Sequence, residues 1–303
     1  MSNTPLSTAS DFDPEVLRLF DQYVHGLIDR RGFLTGAARF AVGAAGASGL
    51  LDALSPKFAA AQQVRQDDKR LSTKRVEFAS PKGYGKACGY LARPAKANGP
   101  LPLVLVAHEN RGLNPHIEDI VRRLALDGFI AFAPDALFPL GGYPGDEDAA
   151  RTLFGKLDQA KTHEDFLAAA DMLAHVEGGN GRMGAVGFCY GGGIVNFLAT
   201  RLPSLAAAAP FYGLVPPSDD VANIKAELLV VLAADDRRIN AGWAGYEAAL
   251  KSAGTHYTVY RSAGTQHGFN NDTTPRYDKD AAAEAWRLTI ALFNRTLRGK
   301  PQG

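Results

Sequence analysis

From about residue 72 onward, the apolar positions switch between short β runs and stretches of helical period, as chains of βαβ units do. Arg75-Val-Glu-Phe78 and Cys88-Gly-Tyr-Leu-Ala92, joined by a Gly-rich turn at 81–85, predict an antiparallel pair at the start. Leu101–Ala107 and Gly128–Ala133 are nearly unbroken apolar runs, which marks strands covered on both faces. Between them lies a helix with Ile117, Ile120, Val121, Leu124 and Ala125 on one side. A Gly- and Pro-rich loop at 137–146 precedes one or two helices over 147–177. Further strands are predicted at Arg182–Phe188, Leu205–Phe211, Leu228–Ala233 and His256–Tyr260, with helices over 191–202 and 280–297. This order predicts one mostly parallel α/β sheet with helices on both faces. Such sheets bind ligands at the carboxyl ends of their strands.

The first sixty residues follow a different pattern. Asp13-Pro14 predicts the cap of a short amphipathic helix bearing Val16, Leu17, Leu19, Phe20, Val24, Leu27 and Ile28. Arg30-Arg31-Gly-Phe-Leu34 opens a weakly apolar, Ala/Gly-rich run that ends in small residues, with an A-x-A type cleavage point after Ala61. The segment resembles a twin-arginine signal, which carries folded proteins across the bacterial inner membrane. It implies recognition by the twin-arginine translocation machinery and a periplasmic location. The alternative is a permanent helical hairpin on a cytoplasmic protein. The run is too short and too weakly apolar for a membrane span. The expected organisation is a leader over 1–61, a linker over 62–73 and a catalytic-type domain over 74–303.

Composition narrows the field only modestly. The 303 residues carry a net charge of +1, so no strong field points to nucleic acid. Two cysteines, Cys88 and Cys189, make no disulfide framework. The seven histidines are scattered and form no HExxH or Cys/His motif, so the sequence predicts neither a metal nor an organic cofactor.

The chemistry concentrates after the strands. Gly187-Phe-Cys-Tyr-Gly191 is a G-x-C-x-G form of the nucleophile elbow, lying between a strand and a helix. Its turn is so tight that a Cβ at Gly187 or Gly191 would meet neighbouring backbone, and the helix amides aimed at the thiol favour thiolate. The strand at 228–233 runs into Asp235-Asp236, where an acid is required by the chain order nucleophile, acid, histidine. The loop Gly264-Thr-Gln-His-Gly-Phe269 then supplies His267. His25 lies in the leader; His116, His163 and His175 fall in helical patterns and read as solvated; His256 opens a strand.

Gly187-Phe-Cys-Tyr-Gly-Gly192, His108-Glu-Asn-Arg-Gly112, Ala133-Pro-Asp135, Asp236-Arg-Arg-Ile-Asn240 and Gln266-His-Gly-Phe269 together resemble the dienelactone hydrolase (carboxymethylenebutenolidase) family. The resemblance covers about residues 74 to 298 and implies an α/β-hydrolase fold acting on a lactone or other carboxylic ester, without cofactor. It implies Cys189 as nucleophile, His267 as general base and Asp236 as triad acid, with Asp235 the alternative. It further implies Glu109 as a carboxylate beside the resting thiol, and the N–H groups of Asn110 and Tyr190 as the oxyanion hole. The family's arginine shortly after the catalytic histidine is missing from Gly268-Phe-Asn-Asn-Asp272, and Arg111, Arg151 and Arg276 are the substitutes to consider. A general esterase or thioesterase, a non-catalytic binding protein and a thiol redox protein are the competing functions.

Overall fold

The computed structural model describes residues 7–41 and 46–299. Eight strands form one sheet in the order β1-β2-β4-β3-β5-β6-β7-β8. They are β1 (Leu71–Ser80), β2 (Gly85–Pro94), β3 (Leu101–Ala107), β4 (Ile130–Pro134), β5 (Gly179–Phe188), β6 (Leu205–Phe211), β7 (Glu227–Ala233) and β8 (Tyr257–Ser262). β1 and β2 run antiparallel, β2 meets β4 antiparallel, and every later pairing is parallel. This is the expected architecture, with β1 beginning at Leu71.

The unbroken apolar runs are explained by two cores, one on each face. Along β3, Leu103, Leu105 and Ala107 face one core with Phe166, Leu173, Ile194 and Leu198. Val104 and Val106, one residue out of phase, face the other with Ile117, Leu124, Leu292 and Phe293. The first core is covered by α7 (Gln159–Ala174) and α8 (Tyr190–Arg201), the second by α5 (Pro115–Leu126) and α11 (Lys279–Leu297). Residues 147–177 form α7 and the shorter α6 (Glu147–Phe154). Two further helices, α9 (Arg237–Asn240) and α10 (Trp243–Ala253), occupy a stretch for which the sequence pattern predicted no element.

The leader folds as a separate small layer of α1 (Pro14–Val24), α2 (Arg30–Ala37), α3 (Gly46–Leu54) and α4 (Phe58–Ala61). Asp13 caps α1 by accepting from Glu15 N, with Pro14 in the first turn. Val16, Leu17, Phe20, Tyr23, Phe33, Ala37, Leu51 and Leu54 are buried together. The expected apolar face is thus partly corrected. α1 stops at Val24, so Leu27 falls beyond it and is exposed, while Tyr23 joins the buried set. Gln63 N and Val64 N donate to the Asp119 carboxylate, anchoring the connection to β1. Among the described residues, no helix is long and apolar enough to cross a membrane.

Candidate active site

The elbow sits at the carboxyl end of β5. Cys189 caps α8 with φ 56° and ψ −114°, a left-handed backbone that a side-chain-bearing residue holds at a cost of about 1–3 kcal/mol. Its N–H is tied to Phe211 O at 3.0 Å, on the neighbouring strand. The glycines are required by space. A Cβ on Gly187 would overlap the Gly191 carbonyl, and one on Gly191 would overlap the carbonyl of Ala107 at the end of β3. Among the described residues, the N–H groups of Tyr190 and Asn110 have no protein acceptor, leaving both free for an oxyanion.

The two loops after β7 and β8 bring the acid and the histidine together. Asp235 N donates to Thr265 O at 3.0 Å, clipping one loop to the other. The side chain of Asp235 points outward and is exposed. Asp236 is buried. Its Oδ1 accepts from Ile239 N at 3.2 Å, capping α9, and its Oδ2 accepts from His267 Nδ1 at 2.5 Å. The opposite ring nitrogen of His267 is thereby turned toward the cavity that holds Cys189.

A second imidazole, placed with the leader in the sequence, enters the same site. His25 Nε2 lies 3.6 Å from Cys189 Sγ and 3.2 Å from His267 Nε2. Its Nδ1 donates to Asp21 O at 2.8 Å and faces Asp21 Oδ1 at 3.3 Å. The chain end of α1 is pinned there from the domain. Asn110 Nδ2 and Arg111 Nη2 donate to Val24 O at 2.9 and 3.2 Å, and Arg151 Nη1 to Tyr23 O at 2.7 Å. Arg276 approaches Asp21 Oδ1 at 3.4 Å.

These neighbours set the charges. Burial alone would raise the Cys189 thiol, but His267 and His25 bring it down to about 6. Burial opposes charge on His267, yet the thiol and Asp236 raise its pKa; Asp236 is held below the usual carboxylate range by the same bond. For His25, burial again works downward, and Asp21 and Cys189 carry it up to about 10. Arg238 Nη2 pulls against that rise. It is only a donor, and at 2.9 Å it needs His25 Nε2 unprotonated.

Glu109 faces the same cavity as Cys189, but its Oε2 accepts from Asn271 Nδ2 at 2.8 Å, and His25 makes the contact to the thiol instead. Of the three substitute arginines, Arg111 and Arg276 line that cavity, of about 350 Å³, with Cys189 and His267. Arg151 does not line it. A second cavity of about 380 Å³ opens on the other side of the thiol, walled mainly by Ile194, Phe197, Leu214, Val215 and Ile239. His116 corrects the expectation of a solvated side chain: it is buried, with Nδ1 3.2 Å from Asp272 Oδ1. His163 is half-buried and stacks on Phe197.

The profile described as "Dienelactone hydrolase family" matches residues 88–297. A second, described as "YqhI-like", matches residues 4–42, most of the leader. A Synechocystis protein provisionally named carboxymethylenebutenolidase is 33% identical over 230 residues, covering 69% of this chain and 92% of that protein. An Escherichia coli hydrolase fragment, YghX, is 49% identical over 109 residues, covering 36% of this chain and 93% of the fragment. Among solved structures, a provisionally titled dienelactone hydrolase from Klebsiella pneumoniae has a TM-score of 0.65 at 30% identity. It covers 74% of this chain and 99% of its own.

Proposed function

The chain belongs to the dienelactone hydrolase family of α/β-hydrolases acting on esters or lactones, and on that premise we propose that it works through a Cys189–His267–Asp236 triad and a thioester intermediate. The observation that carries this reading is the convergence of three strand ends. Cys189 sits strained at the elbow, and the bonded pair His267–Asp236 reaches into the same cavity. His267 Nε2 removes the thiol proton and Cys189 Sγ attacks the substrate carbonyl carbon. The carbonyl oxygen takes the negative charge, held by the N–H groups of Tyr190 and Asn110. On collapse the ester bond breaks, and the leaving oxygen receives the proton from His267. Water, deprotonated by His267, then attacks the thioester, releasing the acid and restoring the thiol. Leaving groups that stabilise their own charge, such as the enolate of an unsaturated lactone, suit a thiolate nucleophile.

Two features bear on the substrate. Arg111 and Arg276 bring buried positive charge to the cavity that holds the thiol, where a substrate carboxylate would share them with Glu147 and Asp21, which face them at 3.8 and 3.4 Å. The apolar cavity on the other side supports a second reading, a general esterase or thioesterase with a hydrophobic acyl group. A panel of carboxylate-bearing lactones, neutral aryl esters and thioesters, assayed on purified protein, separates the two. Mass spectrometry of quenched turnover should find the acyl group on Cys189. An acyl group elsewhere, or hydrolysis with no covalent species on any substrate, would overturn the thioester route.

The leader at residues 1–61 we read as a twin-arginine export address, with the mature chain starting near Gln62. In support stand the paired Arg30-Arg31, the weakly apolar run and the small residues before Gln62. On this reading the domain works in the periplasm.

A further inference from the structure

Two imidazoles and a thiol, those of His25, His267 and Cys189, meet in one spot. His25 Nδ1 donates to a carbonyl and His267 Nδ1 to a carboxylate, so in each neutral ring the lone pair sits on Nε2. The two Nε2 atoms nevertheless face each other at 3.2 Å. Two acceptors at that distance repel unless a positive charge is shared between them. A proton is one such charge. The geometry points to another: His25 Nε2, Cys189 Sγ and His267 Nε2 form a three-ligand site for a zinc(II)-class cation, assembled between the leader and the domain.

The distances fit. Zinc takes imidazole nitrogen at about 2.0–2.1 Å and thiolate sulfur at about 2.3 Å in a tetrahedron. Tetrahedral angles then put two nitrogens roughly 3.3 Å apart and a nitrogen and sulfur roughly 3.6 Å apart. The observed edges are 3.2 Å between the nitrogens and 3.6 Å between His25 Nε2 and Cys189 Sγ. The ligand-capable atoms of all three residues lie within 4.8 Å of one another. The outer partners are also of the right kind. Each ligating ring has its Nδ1 held, His267 by the Asp236 carboxylate and His25 by the Asp21 backbone carbonyl with the Asp21 carboxylate 3.3 Å away, outer partners of the kind that orient metal ligands. Thiolate with imidazole selects zinc over magnesium or calcium.

Binding releases the thiol proton and any proton held between the rings. It also requires Arg238, which approaches the same lone pair at 2.9 Å, to swing away. Arg238 lies on α9 and is exposed. The fourth position is left to water. A cation so held ties α1 across the site. If Cys189 is the nucleophile proposed above, the same cation holds the enzyme latent.

Cobalt(II) and zinc(II) titrations of the purified full-length chain test the site directly. Cobalt should give a thiolate-to-metal charge-transfer band at one equivalent, and zinc should displace it. His25→Ala and, as a second variant that keeps a polar side chain, His25→Gln should weaken binding by more than about 100-fold, beyond the 10–100-fold typical of losing an outer partner. Asp21→Asn should weaken it by about 10-fold, Arg238→Ala should strengthen it, and Cys88→Ser should leave the band in place. Zinc should also slow tryptic cleavage at Arg30 and Arg31 in the wild type and not in the His25 variants. The site is refuted if no thiolate band forms, if the band follows Cys88, or if both His25 variants bind as tightly as wild type. These readings are independent of hydrolysis: loss of the nucleophile assignment would leave the band unchanged, and loss of the band would leave the hydrolase reading standing.

Discussion

Exchanging Asp236 for Asn separates the triad acid from its neighbour with little disturbance of the fold. Asp236 Oδ1 caps α9 through Ile239 N at 3.2 Å, and Asn caps helices as well as Asp does, so that bond survives. The damage falls on the other oxygen. With the amide oxygen held by Ile239 N, the amide NH₂ is left facing His267 Nδ1, where Oδ2 now accepts at 2.5 Å. Two donors then oppose each other, and the ring relieves the clash by moving its proton to Nε2, the nitrogen that must act as base. The same exchange in a serine-protease triad lowers kcat by about 10⁴, which corresponds to roughly 5.4 kcal/mol of transition-state stabilisation. Asp235→Asn changes an exposed side chain, while the bond that Asp235 makes to Thr265 uses its backbone N–H. That variant should stay within about two-fold of wild type, as surface substitutions away from special features do. The assay is kcat/KM on the best ester of the panel, with near-UV circular dichroism to confirm that both variants fold. A larger loss at Asp235, or less than about ten-fold at Asp236, would refute the reasoning.

Three further outcomes are expected. Cys189→Ala should abolish turnover while the fold persists, and Cys189→Ser should lose most of the rate because a hydroxyl beside the same histidines is far less acidic than a thiol; near-wild-type turnover by the Ala variant on any substrate rules the nucleophile out. With the thiol lowered to about 6 and thiolate the reactive form, alkylation of Cys189 should rise with pH through about 6, against about 8.5 for a free thiol; a midpoint near the free value contradicts the ion-pair description, and His25→Ala, which removes one of the groups lowering it, should move the midpoint upward. Arg30-Arg31 exchanged for Lys-Lys should leave full-length protein inside the cell, whereas wild type should appear outside the inner membrane beginning near Gln62; an unprocessed cytoplasmic wild type sinks the export proposal.

The sheet was legible because its strands are sandwiched. When both faces are covered, as at β3, every residue from Pro102 to Ala107 must be apolar or small, and the run declares itself. The elbow was legible for a similar reason, since Gly187 and Gly191 leave no room for any other residue. By contrast, the stretch over 241–254 that contains α10 mixes Ala and Gly with few strong apolar positions, so its helical period is faint. His116 was misread because helical phase says only which side of α5 it occupies. Its burial comes from Asp272, more than a hundred residues away, which packs over that side. Asp235 and Asp236 cannot be told apart by pattern. What orients them is the loop clip from Asp235 N to Thr265 O and the cap on Ile239, neither of which has a local signature. His25 is the extreme case, because nothing near it in sequence indicates that the end of α1 reaches the end of β5.

The leader sets competing demands on the same residues. To be read as an export address, Arg30–Leu34 must be presented to a receptor, yet here they lie in α2, with Phe33 buried and Arg30 paired to Asp148 at 3.2 Å. The Arg30–Asp148 pair is largely exposed and contributes at most about 1 kcal/mol. Exposing Phe33 costs about 1.5–3 kcal/mol. Opening α2 is therefore a matter of a few kcal/mol, which receptor binding can supply, while opening α1 must also release Val24 O, Tyr23 O and Asp21 from four domain side chains. The two helices should separate in that order. If the leader is the export address proposed above, the arginine pair becomes available first, with His25 still over Cys189, and a chain in transit would keep its thiol covered until the leader is removed.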